Sequence, residues 1–561
     1  MRIARWFTTG VLVAGLMTVG GPALPALAAH KPPATHPTIN GIDLEKSTVL
    51  DLQKAMHTHK LSSVQLTAFY LNRINQLNPT LHAVIETSPT ALLDAVASDA
   101  HRAVRGPRSN LEGIPVLLKD NVDTGDLEHT TAGSFALIDA HPSDAFLVSR
   151  LRAAGAIILG KANLSEWANF RSLTSSSGWS GRGGQTNNPY VLDRNPCGSS
   201  SGSAVAAAAN LATVTIGTET DGSIVCPSGQ NDDVGIKPTL GLVSRNGVVP
   251  ISAQQDTAGP ITRNMTDAAV VLSIVQGVDP GDPATAAAGP FVNRNYVNDL
   301  NKHALRGKRI GVWRGGGDVP SVNAITDQTI ATLRAQGATV IDNIDLPGLD
   351  DAFNAEFPAL LVEFKHDINK YLAETPGSHP ADLAGLIAFN QANASIEMPF
   401  FQQEIFELAE ATNGDETDPT YIQERQTATT AARNAIDSAL AANHLDAIVA
   451  PTNGPAWVTN LQTGDTFDEF VSASGPGAIA GYPDLTVPAG FVDGSLPIGM
   501  SFFGTAWSEP KLIAMGYAFE QATHVRVPPE FLPTLPTAAA AQSQVKPNKL
   551  NGPMLSHFCG M

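Results

Sequence analysis

Short apolar runs bounded by turn formers recur along this chain, and between them the apolar residues switch to helical spacing. Val116 to Leu118 is such a run, and Lys119 sits at its end. Helix Asp144 to Ala154 is followed at once by the run Ala156 to Gly160. Ile310 to Trp313 precedes a helical pattern over Ser321 to Gln336, and Ala447 to Ala450 and Ile498 to Gly504 precede a helix over Glu509 to Thr523. Near the start, helices are predicted over Ser47 to Met56, Ser62 to Leu77 (with Ser62 as cap) and Ala91 to Val104, with a strand at Leu81 to Ile85. Strand–helix alternation of this kind predicts an α/β layered core. An apolar fraction of 43% over 561 residues supplies enough core for it.

The first 29 residues read differently. Arg2 and Arg5 open the chain, Phe7 to Val19 is apolar, and Ala26-Leu27-Ala28 offers a small-x-small site. This predicts a secretory signal peptide cleaved after Ala28 or Ala29, since the run is short for a membrane span. The expected localisation is secreted or periplasmic, with no membrane attachment after cleavage. Residues 30–44 read as an extended arm and 45–527 as a single domain. Residues 345–425 form a more helical, more acidic insertion, and 528–561 a loosely held Pro/Ala/Gln-rich tail. The net charge of -18 carries no basic footprint for nucleic acid.

Three cysteines are too few for a disulfide scaffold and match no zinc spacing. Cys197 and Cys226 are expected as small buried thiols, with a bridge between them as the alternative. His57, His59 and the lone His129 form no metal motif, so no metal or other cofactor is expected.

The most informative text is Asn195-Pro-Cys-Gly-Ser-Ser-Ser-Gly-Ser203 and Gly217-Thr-Glu-Thr-Asp-Gly-Ser-Ile-Val-Cys-Pro227. Neither segment has P-loop spacing, and no G-x-S-x-G elbow surrounds Ser223. A plain flexible loop or an anion nest of backbone N–H groups would also fit. A serine in such a turn becomes a nucleophile only if a base takes its proton, and a buried lysine with a lowered pKa can be that base. Lys119 is a candidate; the competing reading is a structural lysine paired with Asp120 or Asp123.

In this combination the chain resembles the amidase signature family, and within it the bacterial peptide amidases. The carriers are Gly113-Ile-Pro-Val-Leu-Leu-Lys-Asp120, the run Pro196 to Ser203, the stretch Gly217 to Ile224 and Gly235-Ile-Lys-Pro-Thr239. The likeness extends from about residue 45 to 525. It implies an α/β amidase signature fold, with a mostly parallel twisted central sheet covered by helices on both faces. It also implies a Ser-cisSer-Lys triad of Ser223 (nucleophile), Ser199 (bridging serine) and Lys119. The oxyanion hole would be built from the N–H groups of Thr220, Asp221, Gly222 and Ser223. Asp221 stands where many members have glycine and is typical of the peptide amidase branch. Asp233, in a stretch that is usually apolar, should be costly if buried unpaired.

The implied reaction is hydrolysis of a peptide's C-terminal amide to the acid and ammonia through an acyl-enzyme. The alternative is a secreted amidase acting on aryl, aliphatic or amino-acid amides; a non-catalytic protein of inherited fold is the third reading, against which all three triad residues are present. Candidate substrate contacts are Ser200, Trp167, Phe170, Gln185, Tyr482 and Trp507. Ser175 to Ser177 are read as hydrogen-bonding neighbours of this centre, and Trp457, Phe401 and Glu404 are weaker candidates on the helical side; core packing is the competing reading for each aromatic. Expected partners are amidated peptides or small amides, and a monomer is expected.

Overall fold

The computed structural model describes residues 37–466 and 469–536. The expected signal peptide, Cys559 and most of the tail lie outside them. All described residues fall in one compact unit beginning at Ala34.

An eleven-stranded sheet forms its centre. From one edge to the other its strands are Thr339–Ile344, Arg309–Trp313, Ala447–Pro451, Leu496–Phe503, Asp484–Val492, Val234–Lys237, Thr257–Thr262, Val214–Glu219, Pro115–Lys119, Ile157–Ala162 and Val84–Thr87. Helices lie on both faces, as expected for the class. The expectation of mostly parallel pairing needs correction, because the sheet is mixed. Four neighbouring pairs are parallel, two around Arg309–Trp313 and two around Pro115–Lys119. The other six are antiparallel. The physical reason is connection length. Asp484–Val492 and Leu496–Phe503 are joined by a three-residue turn, which can only reverse the chain.

Local signals explain the helix ends. Ser62 accepts from the Gln65 N–H at 3.1 Å, and the Gln65 side chain takes the Ser62 N–H at 3.0 Å, a reciprocal cap. The helix it starts runs to Leu81, past the expected Leu77, and the following strand begins at Val84. Asn78 accounts for the shift. Its side-chain amide donates to the Val84 carbonyl and accepts the Val84 N–H, both at 2.8 Å, tying the last helical turn to the strand. The arm carries a small hairpin, Thr38–Ile39 with Ile42–Asp43. Residues 531–532 of the tail are pinned onto 189–192 through Phe531 N to Pro189 O (3.0 Å) and Leu192 N to Leu532 O (2.7 Å).

The insertion contains helices Leu349–Glu374, Leu383–Ala392 and Glu404–Glu410, and is followed by Pro419–Ala442. It has its own apolar cluster around Phe364, Ile368, Leu383 and Phe406, which Trp167 and Phe170 enter from the body. Glu363 and Arg425 form a buried ion pair at 2.6 Å in the same region. Tyr421 Oη (2.8 Å) and Ser252 Oγ (2.6 Å) donate to the same carboxylate.

Asp233 is fully buried, and burial pushes its carboxyl well above the ordinary carboxylate range. Arg526, Asp232 and Glu45 share this cluster, with Tyr190 Oη (3.2 Å) and Val527 N (3.0 Å) donating to Asp232. Among the described residues neither Asp233 carboxyl oxygen has a hydrogen-bond partner, so the cost anticipated from sequence is present in the fold, offset in part by the charge of Arg526.

Removing one partner of a buried ion pair strands the other. Glu363→Ala is therefore expected to lower the unfolding free energy by about 3–5 kcal/mol, read from chemical denaturation.

Candidate active site

Strands Pro115–Lys119 and Val214–Glu219 run parallel, with Leu118 opposite Ile216. Their C-terminal ends therefore lie side by side, the usual place for a site in an open α/β sheet. Lys119 ends one strand, and Glu219 leads out of the other into the turn that carries Ser223. Between them enters the segment Cys197–Ser200, which opens helix Ser201–Ala208. Gly217 makes this approach possible: a Cβ there would lie 2.8 Å from Ser200 Oγ and 2.8 Å from Ile261 Cδ1.

Lys119 and Ser199 are fully buried, and Ser223 is 8% exposed. Lys119 Nζ lies 2.8 Å from Ser199 Oγ, 2.9 Å from Thr218 Oγ1 and 3.2 Å from the Thr218 carbonyl. Asn121 Nδ2 donates to Thr218 Oγ1 at 3.0 Å. The peptide bond Gly198–Ser199 is cis, and the Ser199 carbonyl accepts from the Ser165 N–H at 3.0 Å. The Ser200 N–H donates to the Ser223 carbonyl at 3.1 Å, joining the two serine segments.

The structural reading of Lys119 required Asp120 or Asp123 as its partner, and both are engaged elsewhere. Asp120 accepts from Thr131 Oγ1 and from the Gly133 N–H (3.1 Å), and Asp123 accepts from Tyr371 Oη at 2.9 Å. The lysine whose charge they face is Lys161. Burial pulls the Lys119 pKa from its usual value down to about 7, against the opposing fields of Asp256 and Glu219. A large share of Lys119 is thus neutral near neutral pH, the form able to accept a proton.

The turn Thr220–Ser223 is shaped by a left-handed glycine, Gly222 (φ +79°). Glu219 Oε2 takes the N–H groups of Ile224 (2.7 Å) and Val225 (3.0 Å). Among the described residues, no acceptor engages the N–H groups of Thr220, Asp221, Gly222 and Ser223. Thr220 is held by Asp256 through its hydroxyl (2.5 Å) and by Gln255 Nε2 through its carbonyl (3.0 Å). Gln255 also accepts from Arg425 (3.0 Å), so the insertion's ion pair is linked to this turn.

A family model described as Amidase matches residues 65–513. The chain belongs to the amidase family. The amidase is 44% identical over 499 residues to a probable amidase of Arabidopsis thaliana, covering 87% of this chain and 92% of that one. Among solved structures it is similar to native peptide amidase from Stenotrophomonas maltophilia, at 48% identity and TM-score 0.81, covering 87% of this chain and 99% of that one. A structure of peptide amidase with the competitive inhibitor chymostatin matches at 49% identity and TM-score 0.83, with the same coverage.

The other sequence candidates are held by packing and hydrogen bonds in the amidase. Trp167 packs edge-on to Phe406 (5.6 Å between centroids) and Phe170 to Phe364 (5.1 Å), both in the insertion's core. Tyr482 is buried and donates to Asp437 at 2.9 Å, and Trp507 stacks on Phe291 at 4.6 Å. Phe401 lies under the guanidinium of Arg171, 4.4 Å away, and Glu404 opens a helix. Trp457 Nε1 donates to Asp465 at 3.2 Å. Gln185 braces the loop at Ser176 and Ser177, donating to the Ser177 carbonyl at 2.8 Å; Ser175 donates to Asn169 at 3.4 Å. Ser200 is fully buried and donates to the Thr218 carbonyl at 3.0 Å. The residues sequence reading missed are Thr218, Asn121 and Asp256. Thr218 and Asn121 lie inside or beside the quoted motifs, so only their partners were hidden. The expected free thiols are also corrected: Cys197 and Cys226 are bridged, their Cα atoms 6.0 Å apart.

Lys119 is buried without a carboxylate partner, so it is a cost to the fold rather than a support. Lys119→Met is expected to leave the unfolding free energy within about 1 kcal/mol of the parent or raise it, as measured by denaturation. A loss of several kcal/mol would make this lysine structural.

Proposed function

We propose that this amidase hydrolyses the C-terminal carboxamide of peptides, with Ser223 as nucleophile and Ser199 and Lys119 as its proton relay. The observation that carries the proposal is the 2.8 Å contact between Ser199 Oγ and a fully buried Lys119 whose pKa is pulled to about 7. Likeness to peptide amidases over 87% of the chain supports the substrate class.

Neutral Lys119 Nζ takes the Ser199 hydroxyl proton as Ser199 Oγ takes that of Ser223. Ser223 Oγ attacks the amide carbonyl carbon, and the resulting oxyanion is met by the unengaged N–H groups of the Thr220–Ser223 turn. The relay then returns a proton to the leaving nitrogen, which departs as ammonia and leaves an acyl-enzyme on Ser223. Water, deprotonated through the same relay, releases the peptide acid. We also read residues 1–29 as an export signal, placing the enzyme outside the cytosol; mass spectrometry showing a mature N-terminus after Ala28 or Ala29 would be the expected result.

Ser223→Ala is expected to lower kcat by at least about 10³-fold with the fold intact. Because the base works as the neutral amine, kcat/KM should rise about tenfold per pH unit up to roughly pH 7 and then level off. Ammonia release should be fast from a blocked dipeptide amide and slow from benzamide or acetamide. The opposite preference would favour an amidase for simple amides.

A further inference from the structure

We propose that the Cys197–Cys226 disulfide is a positioning element of the active site, so that turnover depends on the bridge being closed. The inference rests on the relay proposed above and concerns what holds it in register. Cys197 lies two residues before Ser199, and Cys226 lies three after Ser223. The bridge thus joins the two backbone segments that must present their hydroxyls to each other. These segments belong to different elements, one opening helix Ser201–Ala208 and the other following strand Val214–Glu219.

Two hydrogen bonds also join them. Ser200 N–H donates to the Ser223 carbonyl at 3.1 Å, and Asn231 Nδ2 donates to the Pro196 carbonyl at 2.9 Å. The segment ahead of Ser199 is conformationally demanding: Cys197 has φ +58°, in the left-handed region that side chains disfavour. Besides the bridge, Cys197 is held there by its N–H donating to Asn195 Oδ1 at 2.8 Å and by its carbonyl accepting from Ser201 Oγ at 2.6 Å. With the bridge open, the position of Ser199 relative to Ser223 rests on hydrogen bonds: these, the two between Ser200 and Thr218 (3.0 and 3.2 Å), and those of Ser199 with Ser165 N–H and Lys119. Displacements near 1 Å can cost about 100-fold in rate at an oriented site.

A reductant can reach the bridge without entering the relay. Cys226 is half-buried and lines a cavity of about 420 Å³ together with Gln230, Asn453, Trp457 and Phe470. None of Lys119, Ser199 and Ser223 lines that cavity. A thiolate of dithiothreitol attacks Cys226 Sγ, and the S–S bond breaks with Cys197 leaving as a thiolate that takes a proton. The reagent's second thiol then closes its own ring and releases Cys226 as a thiol. Two electrons and two protons pass from reagent to protein. The same dependence would keep activity low where thiols are held reduced and raise it where disulfides persist.

The test uses the full chain carrying Cys559→Ser, so that only this pair can react. The protein is reduced with dithiothreitol, trapped with iodoacetamide or left untrapped, freed of reagent and assayed on a peptide amide alongside circular dichroism. The expected result is a fall in kcat of at least about tenfold with KM within about twofold and unchanged secondary structure. Untrapped enzyme should recover on reoxidation with oxidised glutathione. C197S/C226S should match the reduced enzyme and ignore reductant; if it fails to fold, the reduced and reoxidised parent decides. Full kcat with both thiols open, or kcat lost only in step with secondary structure, would overturn the proposal. The relay's own failure is read separately, as activity surviving Ser223→Ala in the oxidised enzyme.

Discussion

A lysine taken wholly out of water with no carboxylate against it is the constraint that organises this structure. An isolated buried ammonium is costly, and proteins ordinarily relieve the cost by pairing the charge or releasing the proton. Here the neighbouring carboxylates of Asp120 and Asp123 are turned to Lys161 and Tyr371. Lys119 is left among hydroxyls and a carbonyl. Two more buried lysines, Lys161 and Lys237, have carboxylates among their charged neighbours. Lys119 likewise has Asp256 and Glu219 in its field, and all three lysines hydrogen-bond to neutral groups. Lys119 stands apart because one of its partners is the hydroxyl of Ser199, beside the turn that carries Ser223.

The surrounding fold serves that arrangement. Parallel pairing of Pro115–Lys119 with Val214–Glu219 sets the lysine beside the turn that carries Ser223, and glycine at position 217 lets the Ser199 segment come between them. Glu219 takes the N–H groups of Ile224 and Val225, beyond the four of the turn. The insertion contributes at a distance, through Glu363, Arg425 and Gln255 to the Thr220 carbonyl. Rigidity of this kind is what electrostatic stabilisation of a tetrahedral intermediate requires, because donors already in place need not reorganise during reaction.

Much of this was legible in the chain, and the rest was hidden for physical reasons. The α/β class followed from alternating periodicities, but short apolar runs do not encode strand direction, so the mixed pairing was invisible. Ser223 stood out through its glycine turn. Lys119 and Ser199 needed the family resemblance, because the contact between them spans 80 residues and depends on pairing register. Thr218 was within a recognised motif, yet its hydroxyl matters only once the two parallel strands are aligned. For Trp167, Phe170 and Tyr482 an aromatic near a motif carries no mark of which face it presents, and each packs in a core cluster, as the competing reading had it. The two cysteines were read as free because nothing in a separation of 29 residues places their Cα atoms 6.0 Å apart.

The central claim is that a neutral Lys119 activates Ser223 through Ser199. Labelling with a fluorophosphonate across about pH 5 to 9, mapped by peptide mass spectrometry, tests both ends at once. The account predicts a single adduct on Ser223 whose rate of formation rises with a midpoint near pH 7, matching the lowered Lys119 pKa. An adduct on another residue, or a rate that does not change across that range, would contradict it.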